Sequence, residues 1–287
     1  METWRTAITN ADGNRIIVRG HDLVDLMQHG TYPDVVALLL GGHRPDEGER
    51  RLIDAILVAV ADHGAGSPSA ATARMAATGN RQAPEAAIAA GILAIGDAHA
   101  GAGMACMLII KDALTRATRE SRSLADVARA VAIDARDAGR RLPGLGHRLY
   151  RDDPRTPVLF AMAERFGKAG QGIAFMRALQ SAAAETIKPL AINVDGAIAG
   201  VLHDLGYPAA VAKLIFIVGR TAGLAAHVLE EYTRERPMRV RIPVEYDGPP
   251  AVNPQVSRSG SRPDCRTTTS RSSTTTCATT ITGRSRW

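Results

Sequence analysis

The sequence predicts a mainly α-helical protein, and three observations lead to this prediction. Hydrophobic residues make up 45% of the 287 residues but aromatic residues only 4%, so Ala, Leu, Ile and Val have to build the core. Alanine and leucine also have the highest helix propensities. Most apolar segments repeat with the period of a helix rather than with the alternation of a strand. A chain of this length can form one large domain or two small ones.

The strand-like region comes first and predicts a short N-terminal β-hairpin. Two β-prone runs, residues 6–9 and 15–18, flank the turn-rich residues 10–14. This turn segment contains an Asp-Gly pair, which is typical of hairpin turns.

Helical segments follow the hairpin. Apolar runs at residues 51–61, 84–96 and 101–117 are hydrophobic on most sides, which predicts buried rather than surface helices. Residues 123–139 are amphipathic, with a capping-box start and a glycine stop. Later helices are predicted to open at Thr156-Pro157 with Pro at the first position, to span residues 173–187, to run from near Asp195 to Gly206, and to span residues 209–231.

The net charge of +6 comes mainly from the end of the chain. Residues 253–287 hold six arginines and one acid, a net charge of +5, which leaves +1 for residues 1–252. The nearly neutral body shows no basic stripe with interleaved aromatics, so we expect no nucleic-acid binding. Residues 253–287 are almost all Ser, Thr and Arg, which predicts a disordered tail without a role in function. A native extension and a shifted reading frame both fit this composition.

Several classes of chemistry lack support in the residue pattern. The three cysteines show no pairing or metal-ligand spacing, and no two histidines stand four residues apart, so no metal site is predicted. Residues 144–146 lack the third glycine of a dinucleotide-binding loop, and residues 66–69 do not form a serine nucleophile elbow. No apolar signal stretch or membrane-length apolar run is visible, so we expect a soluble, cytoplasmic protein without membrane partners.

Four ionisable residues stand where apolar helices stop, and they are the main candidates for a site: His63, His99, His147 and Asp195. A Pro-Gly-x-Gly bend precedes His147 and lets the backbone approach a bound molecule. An ionisable group at the end of a buried element is a plausible site group with a shifted pKa. The alternative for each is a helix cap or a buried hydrogen bond, and Asp195 in particular fits an N-cap.

Six segments resemble, in order, the conserved blocks of the citrate synthase family, over about residues 5–248. Their order is more specific than any one of them. The segments are ADHGAGSPSAATAR (residues 61–74), GDAHAG (96–101), PGLGHRLYRDDPR (143–155), NVDG (193–196), VGRTAGLAAHVLE (218–230) and ERP (235–237).

The resemblance implies roles for individual residues. Asp195 resembles the base that takes a proton from the acetyl-CoA methyl group, His99 the residue that polarises the thioester carbonyl, and His147 the histidine that hydrogen-bonds the oxaloacetate ketone. The implied carboxylate-binding residues are His63, Arg155, Arg220 and Arg236. CoA is implied at Arg151 and at the backbone of Pro143, Gly144, Leu145 and Gly146. By the same resemblance, Arg236 reaches into the site of a partner in a homodimer.

These residue types suit the chemistry of the family. Removing a proton next to a thioester creates an enolate, whose charge needs a nearby donor. Carboxylates need planar, permanently charged partners, which arginine provides. We therefore expect no metal and no cofactor beyond the CoA thioester that serves as substrate.

The resemblance also implies a citrate synthase-like fold with two domains. Residues 1–117 and 193–252 are expected to form a large helical domain, and residues 118–192 a smaller helical domain that closes over the site.

Two features set this sequence apart within the family. The family usually has glycines and an asparagine where Ala100-Gly101-Ala102-Gly103 follows His99. Only 62 residues precede His63, which looks more like citryl-CoA lyases and the C-terminal module of ATP-citrate lyase.

The favoured function is therefore citryl-CoA lyase, which converts citryl-CoA to acetyl-CoA and oxaloacetate. The alternatives are a compact citrate synthase or methylcitrate synthase, which condenses acetyl-CoA or propionyl-CoA with oxaloacetate and hydrolyses the thioester, and a non-catalytic binding subunit that has lost turnover.

Overall fold

A computed structural model describes residues 3–96, 98–146 and 151–251 of the chain. These residues form three short strands and eleven helices, as expected for a mainly α protein. In chain order the elements are β1 (Thr9–Asp12), β2 (Arg15–Val18), β3 (His21–Asp22), α1 (Leu23–His29), α2 (Tyr32–Gly41), α3 (Glu47–Val60), α4 (Pro68–Gly79), α5 (Pro84–Leu93), α6 (Ala102–Arg119), α7 (Leu124–Asp137), α8 (Arg155–Arg165), α9 (Gln171–Thr186), α10 (Val194–Asp204) and α11 (Ala210–Arg234).

The three strands form one antiparallel sheet in the order β1-β2-β3. Asp12 pairs with Arg15 across a two-residue turn, in which Gly13 has a φ of +59°. Glycine adopts this left-handed conformation at little cost. The predicted hairpin is confirmed, but its first strand is Thr9–Asp12 rather than residues 6–9, because the tight turn starts the pairing at Asp12.

The main hydrophobic core is formed by α2, α3, α6, α7, α8, α9, α10 and α11, and α10 lies at its centre. Every residue from position 196 to position 202 of α10 is buried. A Cβ atom added at Gly200 would lie 3.4 Å from Ile173 of α9, so the small residue allows close packing of these two helices. A second, smaller core joins α4, α5 and α11.

The amphipathic helix predicted at residues 123–139 is confirmed as α7. Ser123 is its N-cap, and the Ser123 hydroxyl accepts the backbone N–H of Asp126 at 3.1 Å. Pro157 was expected to open the following helix, but α8 begins at Arg155 and Pro157 is its third residue. All N–H groups of a first helical turn lack intrahelical partners, so Pro is tolerated there beyond the first position.

The prediction that residues 84–96 and 101–117 form buried helices is wrong for this chain. In α5 only Ala87 and Gly91 are buried, and Leu93 at its C-terminal end is 85% exposed. In α6 one face enters the core, whereas Leu108 on another face is 50% exposed. A helix that is apolar on most sides needs a covering surface on each of them, and the described residues leave part of α5 and α6 uncovered.

Helix α11 is the one described helix that is long and apolar enough to cross a membrane by length and composition. Half of its most apolar stretch is buried inside the protein, and it carries the buried Arg220. We therefore interpret α11 as a core helix.

The chain divides into two units, Met1–Arg241 and Ile242–Trp287. In the second unit, residues 242–251 are irregular and exposed, and the predicted tail, residues 253–287, lies outside the described residues. The division of the body into a large domain and a smaller one at residues 118–192 stays a prediction.

Candidate active site

The candidate base Asp195 lies in the first turn of α10. The N-cap of this helix is Asn193, whose side-chain oxygen accepts the Gly196 N–H at 3.1 Å. Asp195 is therefore not the N-cap of α10, which was the alternative interpretation of its position in the sequence. Its carboxylate makes no hydrogen bond or ion pair with any described residue, which leaves it available to a ligand.

The surroundings of Asp195 raise the pKa of its carboxyl group to about 6. Burial is the largest cause, because desolvation disfavours the charged form. The positive charges of Arg155 and Arg220 oppose this effect, whereas the negative charge of Asp153 adds to it. A carboxyl group with a pKa near neutrality can act both as a base and, once protonated, as an acid.

The glycine loop expected to hold CoA is bound directly to the segment that leads into α10. Gly146 N–H donates to the Ala191 carbonyl at 2.7 Å, and Asn193 N–H donates to the Gly144 carbonyl at 3.0 Å. A Cβ atom added at Gly144, where φ is +83°, would lie 2.8 Å from the Gly196 Cα. Only glycine fits this contact, so the structure brings residues 143–146 next to Asp195.

A buried carboxylate, Asp153, connects Arg155 to the same helix. Asp153 is 4% exposed and accepts two hydrogen bonds from the Arg155 guanidinium, at 2.9 and 2.8 Å. Its Oδ2 also accepts the Val194 N–H at 2.9 Å. Burial opposes ionisation, but the hydrogen bonds from Arg155 and Val194 hold the pKa of Asp153 below its usual value. Asp153 thus fixes a candidate clamp relative to the residue preceding Asp195.

Two arginines meet the C-terminal end of α3. Arg155 Nη1 donates to the Ala59 carbonyl at 3.1 Å, and Arg220 Nε donates to the Val60 carbonyl at 2.8 Å. The last carbonyls of a helix lack intrahelical partners and carry partial negative charge, so guanidinium groups are stabilised there. Arg220 is only 2% exposed, and its guanidinium carbon lies 4.9 Å from the ring centre of Phe216. Burial is the main cause that lowers the pKa of Arg220.

A serine hydroxyl connects Arg220 to His99. Arg220 Nη1 donates to Ser69 Oγ at 3.2 Å, and Ser69 Oγ lies 3.0 Å from His99 Nε2. The Ser69 N–H also points to His99 Nε2, at 3.4 Å. When Nε2 accepts both groups, the ring proton of a neutral His99 resides on Nδ1.

His63 follows α3 and is half-buried. The adjacent Asp62 accepts the Gly64 N–H at 3.0 Å and lies 2.9 Å from His227 Nε2 of α11. Burial opposes ionisation of Asp62, yet the backbone N–H groups of Gly64 and His63 and the contact with His227 hold its pKa below the usual value. The turn that carries His63 is therefore attached to α11 one to two helical turns after Arg220.

The remaining predicted residues are placed differently. Arg236 is exposed in the turn after α11, and Arg151 is exposed in the segment before α8; neither contacts the residues described above. His147 lies outside the described residues. The structure therefore brings together Asp195, residues 143–146, Arg155, Arg220, His99 and the His63 turn, and leaves Arg236 and Arg151 on the surface.

Sequence reasoning did not single out Ser69, Asp153 or Asn193, although each lies in one of the six quoted blocks. Asp153 stands two residues before an arginine expected at a buried site, where an unpaired cation would be costly. That spacing was the signal in the sequence from which Asp153 could have been predicted as the partner of Arg155. Ser69 offered none, because its partner His99 is 30 residues away.

The arrangement suits proton transfer next to bound carboxylates. The guanidinium groups of Arg155 and Arg220 act electrostatically on the carboxylate of Asp195, whose pKa is about 6, and Ser69 connects Arg220 to the His99 imidazole. No group of three or more His, Cys, Asp or Glu side chains that could hold a metal ion occurs in the part of the chain that the structure describes.

Comparison with known proteins gives one family. Residues 40–241 match the family profile described as "Citrate synthase, C-terminal domain". The curated citrate synthase of Haloferax volcanii is 32% identical over 227 residues. The match covers 78% of this chain, which spans 57% of the length of that relative.

Two solved structures share the fold. Citryl-CoA lyase from Hydrogenobacter thermophilus has a TM-score of 0.80 and 36% identity, and the match covers 89% of this chain and 99% of the other. ATP citrate lyase from Methanothrix soehngenii, solved with citrate and coenzyme A, has a TM-score of 0.71 and 21% identity over 87% of this chain and 42% of the other. At 21% identity, the similarity to ATP citrate lyase shows a shared fold alone.

Proposed function

Because the chain belongs to the citrate synthase family, we propose that it acts on the carbon–carbon bond between acetyl-CoA and oxaloacetate units, as a citryl-CoA lyase. The observation that carries this proposal is the match to the Hydrogenobacter citryl-CoA lyase, which covers nearly the whole length of both chains.

The proposed reaction begins with citryl-CoA, whose carboxylates are bound by Arg155 and Arg220. The hydroxyl proton leaves to a base, and we assign this step to His147, which resembles the histidine that hydrogen-bonds the oxaloacetate ketone in the family. The carbon–carbon bond then breaks, giving the oxaloacetate ketone and the enolate of acetyl-CoA. Asp195 in its protonated form gives a proton to the enolate carbon. His99 stabilises the enolate oxygen, as the family resemblance implies.

The pKa of Asp195 supports this assignment. At about 6 it leaves an appreciable fraction of the group protonated near neutral pH, whereas an ordinary aspartic acid would be almost fully ionised. The same carboxylate would serve as the base in the condensation direction. This reaction needs neither a metal nor a redox cofactor, and we propose that the chain uses only its own side chains.

A compact citrate synthase is the second candidate, and the curated relative from Haloferax favours it by its name. This enzyme would perform the condensation and then hydrolyse the thioester. A methylcitrate synthase would differ only in the acyl chain.

We also propose that the protein works as a homodimer in the cytoplasm. Helices α4, α5 and α6 each pack on α11, and all four helices have exposed apolar side chains. These include Met75, Leu93, Leu108 and Leu229. Apolar side chains spread over adjacent helices are typical of an interface.

A paired assay tests the lyase proposal. One arm supplies acetyl-CoA and oxaloacetate and follows free thiol, and the other supplies citryl-CoA and follows oxaloacetate. We expect oxaloacetate release in the second arm with little thiol release in the first. Thiol release at a comparable rate would indicate a citrate synthase instead. Binding of oxaloacetate or citrate without any turnover would favour a non-catalytic subunit.

A further inference from the structure

A cluster of charged residues surrounds the C-terminal end of α11, away from the residues assigned to chemistry. Glu231 is fully buried, which is costly for a carboxylate unless it is paired. It receives Arg239 Nε at 2.9 Å and Arg239 Nη2 at 2.7 Å. Arg74 Nη2 of α4 lies 3.0 Å from the same carboxylate. Glu231 thus connects α11 to α4 and to the segment that follows α11.

Two neighbouring glutamates, Glu230 and Glu235, also pair with Arg74 and Arg239. Glu230 lies 2.7 Å from Arg74 Nη1, and Glu235 lies 3.0 Å from Arg239 Nε. Both cations are therefore held on more than one side. Networks of this kind restrict side-chain geometry more than isolated surface pairs do.

Hydrogen bonds also fix the backbone of the turn after α11. Arg81 donates to the carbonyls of Glu231, Tyr232 and Glu235 at 2.8, 2.7 and 3.1 Å, which satisfies the free carbonyls at the helix end. The Met238 N–H donates to the Thr78 carbonyl at 2.9 Å.

Met238 itself has a φ of +54°, a conformation that a non-glycine residue keeps only when its surroundings enforce it. The turn from residue 235 to residue 239 is thus fixed at both ends, although most of it is exposed. Backbone strain of this kind is concentrated at functional sites.

The residue that this turn presents is Arg236. It is exposed and makes no hydrogen bond or ion pair with the described residues, whereas Arg74, Arg81 and Arg239 on either side of it are engaged with partners. An unpaired guanidinium on a fixed turn can bind a carboxylate with little loss of conformational entropy.

We propose that Glu231, with Arg74 and Arg239, is a positioning residue for Arg236: it fixes the turn that presents the Arg236 guanidinium to a carboxylate of the substrate. This inference rests on the proposed function and homodimer, together with the family resemblance, which implies that Arg236 binds a carboxylate in the site of a second copy.

The test is a double-mutant cycle on the affinity for oxaloacetate and citrate, measured by calorimetry. Glu231→Gln keeps the size of the side chain but removes the charge that holds Arg239. We expect this variant to weaken binding of both acids at least about fivefold. Glu230→Gln is the matched control, since Glu230 also contacts Arg74 but neither Arg239 nor the turn, and we expect it to change affinity less than about twofold.

The decisive arm repeats Glu231→Gln in an Arg236→Leu background. If Glu231 acts through Arg236, its effect on affinity disappears there, while any loss of thermal stability stays the same in both backgrounds. A merely structural Glu231 would weaken binding equally with and without Arg236, and that result would overturn the proposal, as would unchanged affinity in the single variant. If Glu231→Gln does not fold, Arg239→Gln replaces it in the same cycle, since the Arg239 side chain is partly exposed.

Hydrogen exchange gives a readout that does not depend on ligand. The amides of Glu235 and Met238, which donate to the Glu231 and Thr78 carbonyls, should exchange faster in Glu231→Gln than in Glu230→Gln. Equal exchange in the two variants would show that the turn does not depend on Glu231 and would contradict the proposal.

Failure of the proposed function gives a different pattern. A wild-type protein that binds the acids but turns over no acyl-CoA would contradict the lyase assignment. The double-mutant cycle on acid affinity would still test the role of Glu231. A wild-type protein that binds neither acid would overturn both.

Discussion

At the scale of single residues, the site depends on the balance at Asp195. Burial raises the pKa of its carboxyl group, and Arg155 and Arg220 keep the pKa from rising further. The ionised side chain is thus stabilised less than it would be in water. This unfavourable state makes the carboxylate a stronger base, and it has a cost for the stability of the fold.

Replacing Asp195 by asparagine tests both consequences. We expect Asp195→Asn to lose nearly all turnover while retaining dicarboxylate binding. The folded-state pKa of Asp195 lies above its unfolded value, so its ionisation destabilises the fold progressively between about pH 4 and pH 6 and fully above. The variant should therefore be more stable than wild type by about 1–2 kcal/mol at pH 8, with the difference vanishing near pH 4. Near-normal turnover, or lower stability at pH 8, would contradict the assignment.

The role proposed for Arg220 is to bind a carboxylate of the acid. Arg220→Leu removes a buried guanidinium whose partners are the Val60 carbonyl and Ser69 Oγ. We expect the affinity for oxaloacetate or citrate to fall by roughly 10- to 100-fold, with the CoA affinity nearly unchanged, as measured by calorimetry. Arg234→Leu on the same helix, where the side chain is 73% exposed, is the control and should change neither. An unchanged acid affinity in Arg220→Leu would exclude this residue as a clamp.

At the scale of elements, the ends of helices converge on the site. The C-terminus of α3 holds Arg155 and Arg220, the N-terminus of α10 carries Asp195, and the N-terminal region of α4 supplies Ser69. Each end presents backbone groups without intrahelical partners. Asp195, Arg155, Arg220 and Ser69 therefore lie in rigid helices, and two of them are also held by the end of α3.

A polar contact between elements also predicts a pH dependence of stability. Glu49 of α3 is buried and accepts the Tyr207 hydroxyl at 2.6 Å, while His43 Nε2 lies 3.0 Å from it. The hydrogen bond with Glu49 raises the pKa of His43 above 6.5 despite some burial. The stabilisation is therefore fully present below pH 6.5 and is lost as the pH rises through the folded-state pKa.

Denaturant unfolding of His43→Asn checks this contact. The difference in unfolding free energy from wild type should be larger at pH 6 than at pH 8.5, by less than about 1 kcal/mol because the His43 ring is half exposed. Glu49→Gln should remove the same pH dependence. A difference that is equal at both pH values would show that folding does not raise the pKa of His43.

The sequence predicted helices and their starts better than it predicted which helix faces are covered and which distant residues are in contact. The capping residues Ser123 and Asp126 marked the start of α7, because capping is a local interaction. The exposure of Leu93 and Leu108 could not be predicted, because periodicity shows that a face is apolar but not which surface covers it. Order along the chain suggested Asp195, Arg155 and Arg220 as site residues. The contacts of Asp153 and Ser69 emerged only in three dimensions, since their partners on α10 and α11 are 41 and 151 residues away.

At the scale of the whole molecule, the exposed apolar helices support a dimer. We expect sedimentation equilibrium to give twice the mass of the 30.4 kDa chain. Leu108→Glu places a charge on the exposed face of α6, and we expect it to shift the protein to a monomer, because an unpaired charge is costly in an interface. Val158→Glu, on the exposed side of α8, is the control and should remain dimeric. A wild-type monomer at micromolar concentration would contradict the dimer.

The most direct test of the lyase assignment is the fate of citryl-CoA on the purified chain. Cleavage gives acetyl-CoA and oxaloacetate, whereas hydrolysis gives citrate and free CoA, so one chromatographic measurement of the four products separates the two activities. We predict acetyl-CoA and oxaloacetate in equal amounts, with little citrate, and no conversion by Asp195→Asn. Citrate and free CoA as the main products, or unaltered citryl-CoA, would contradict the assignment.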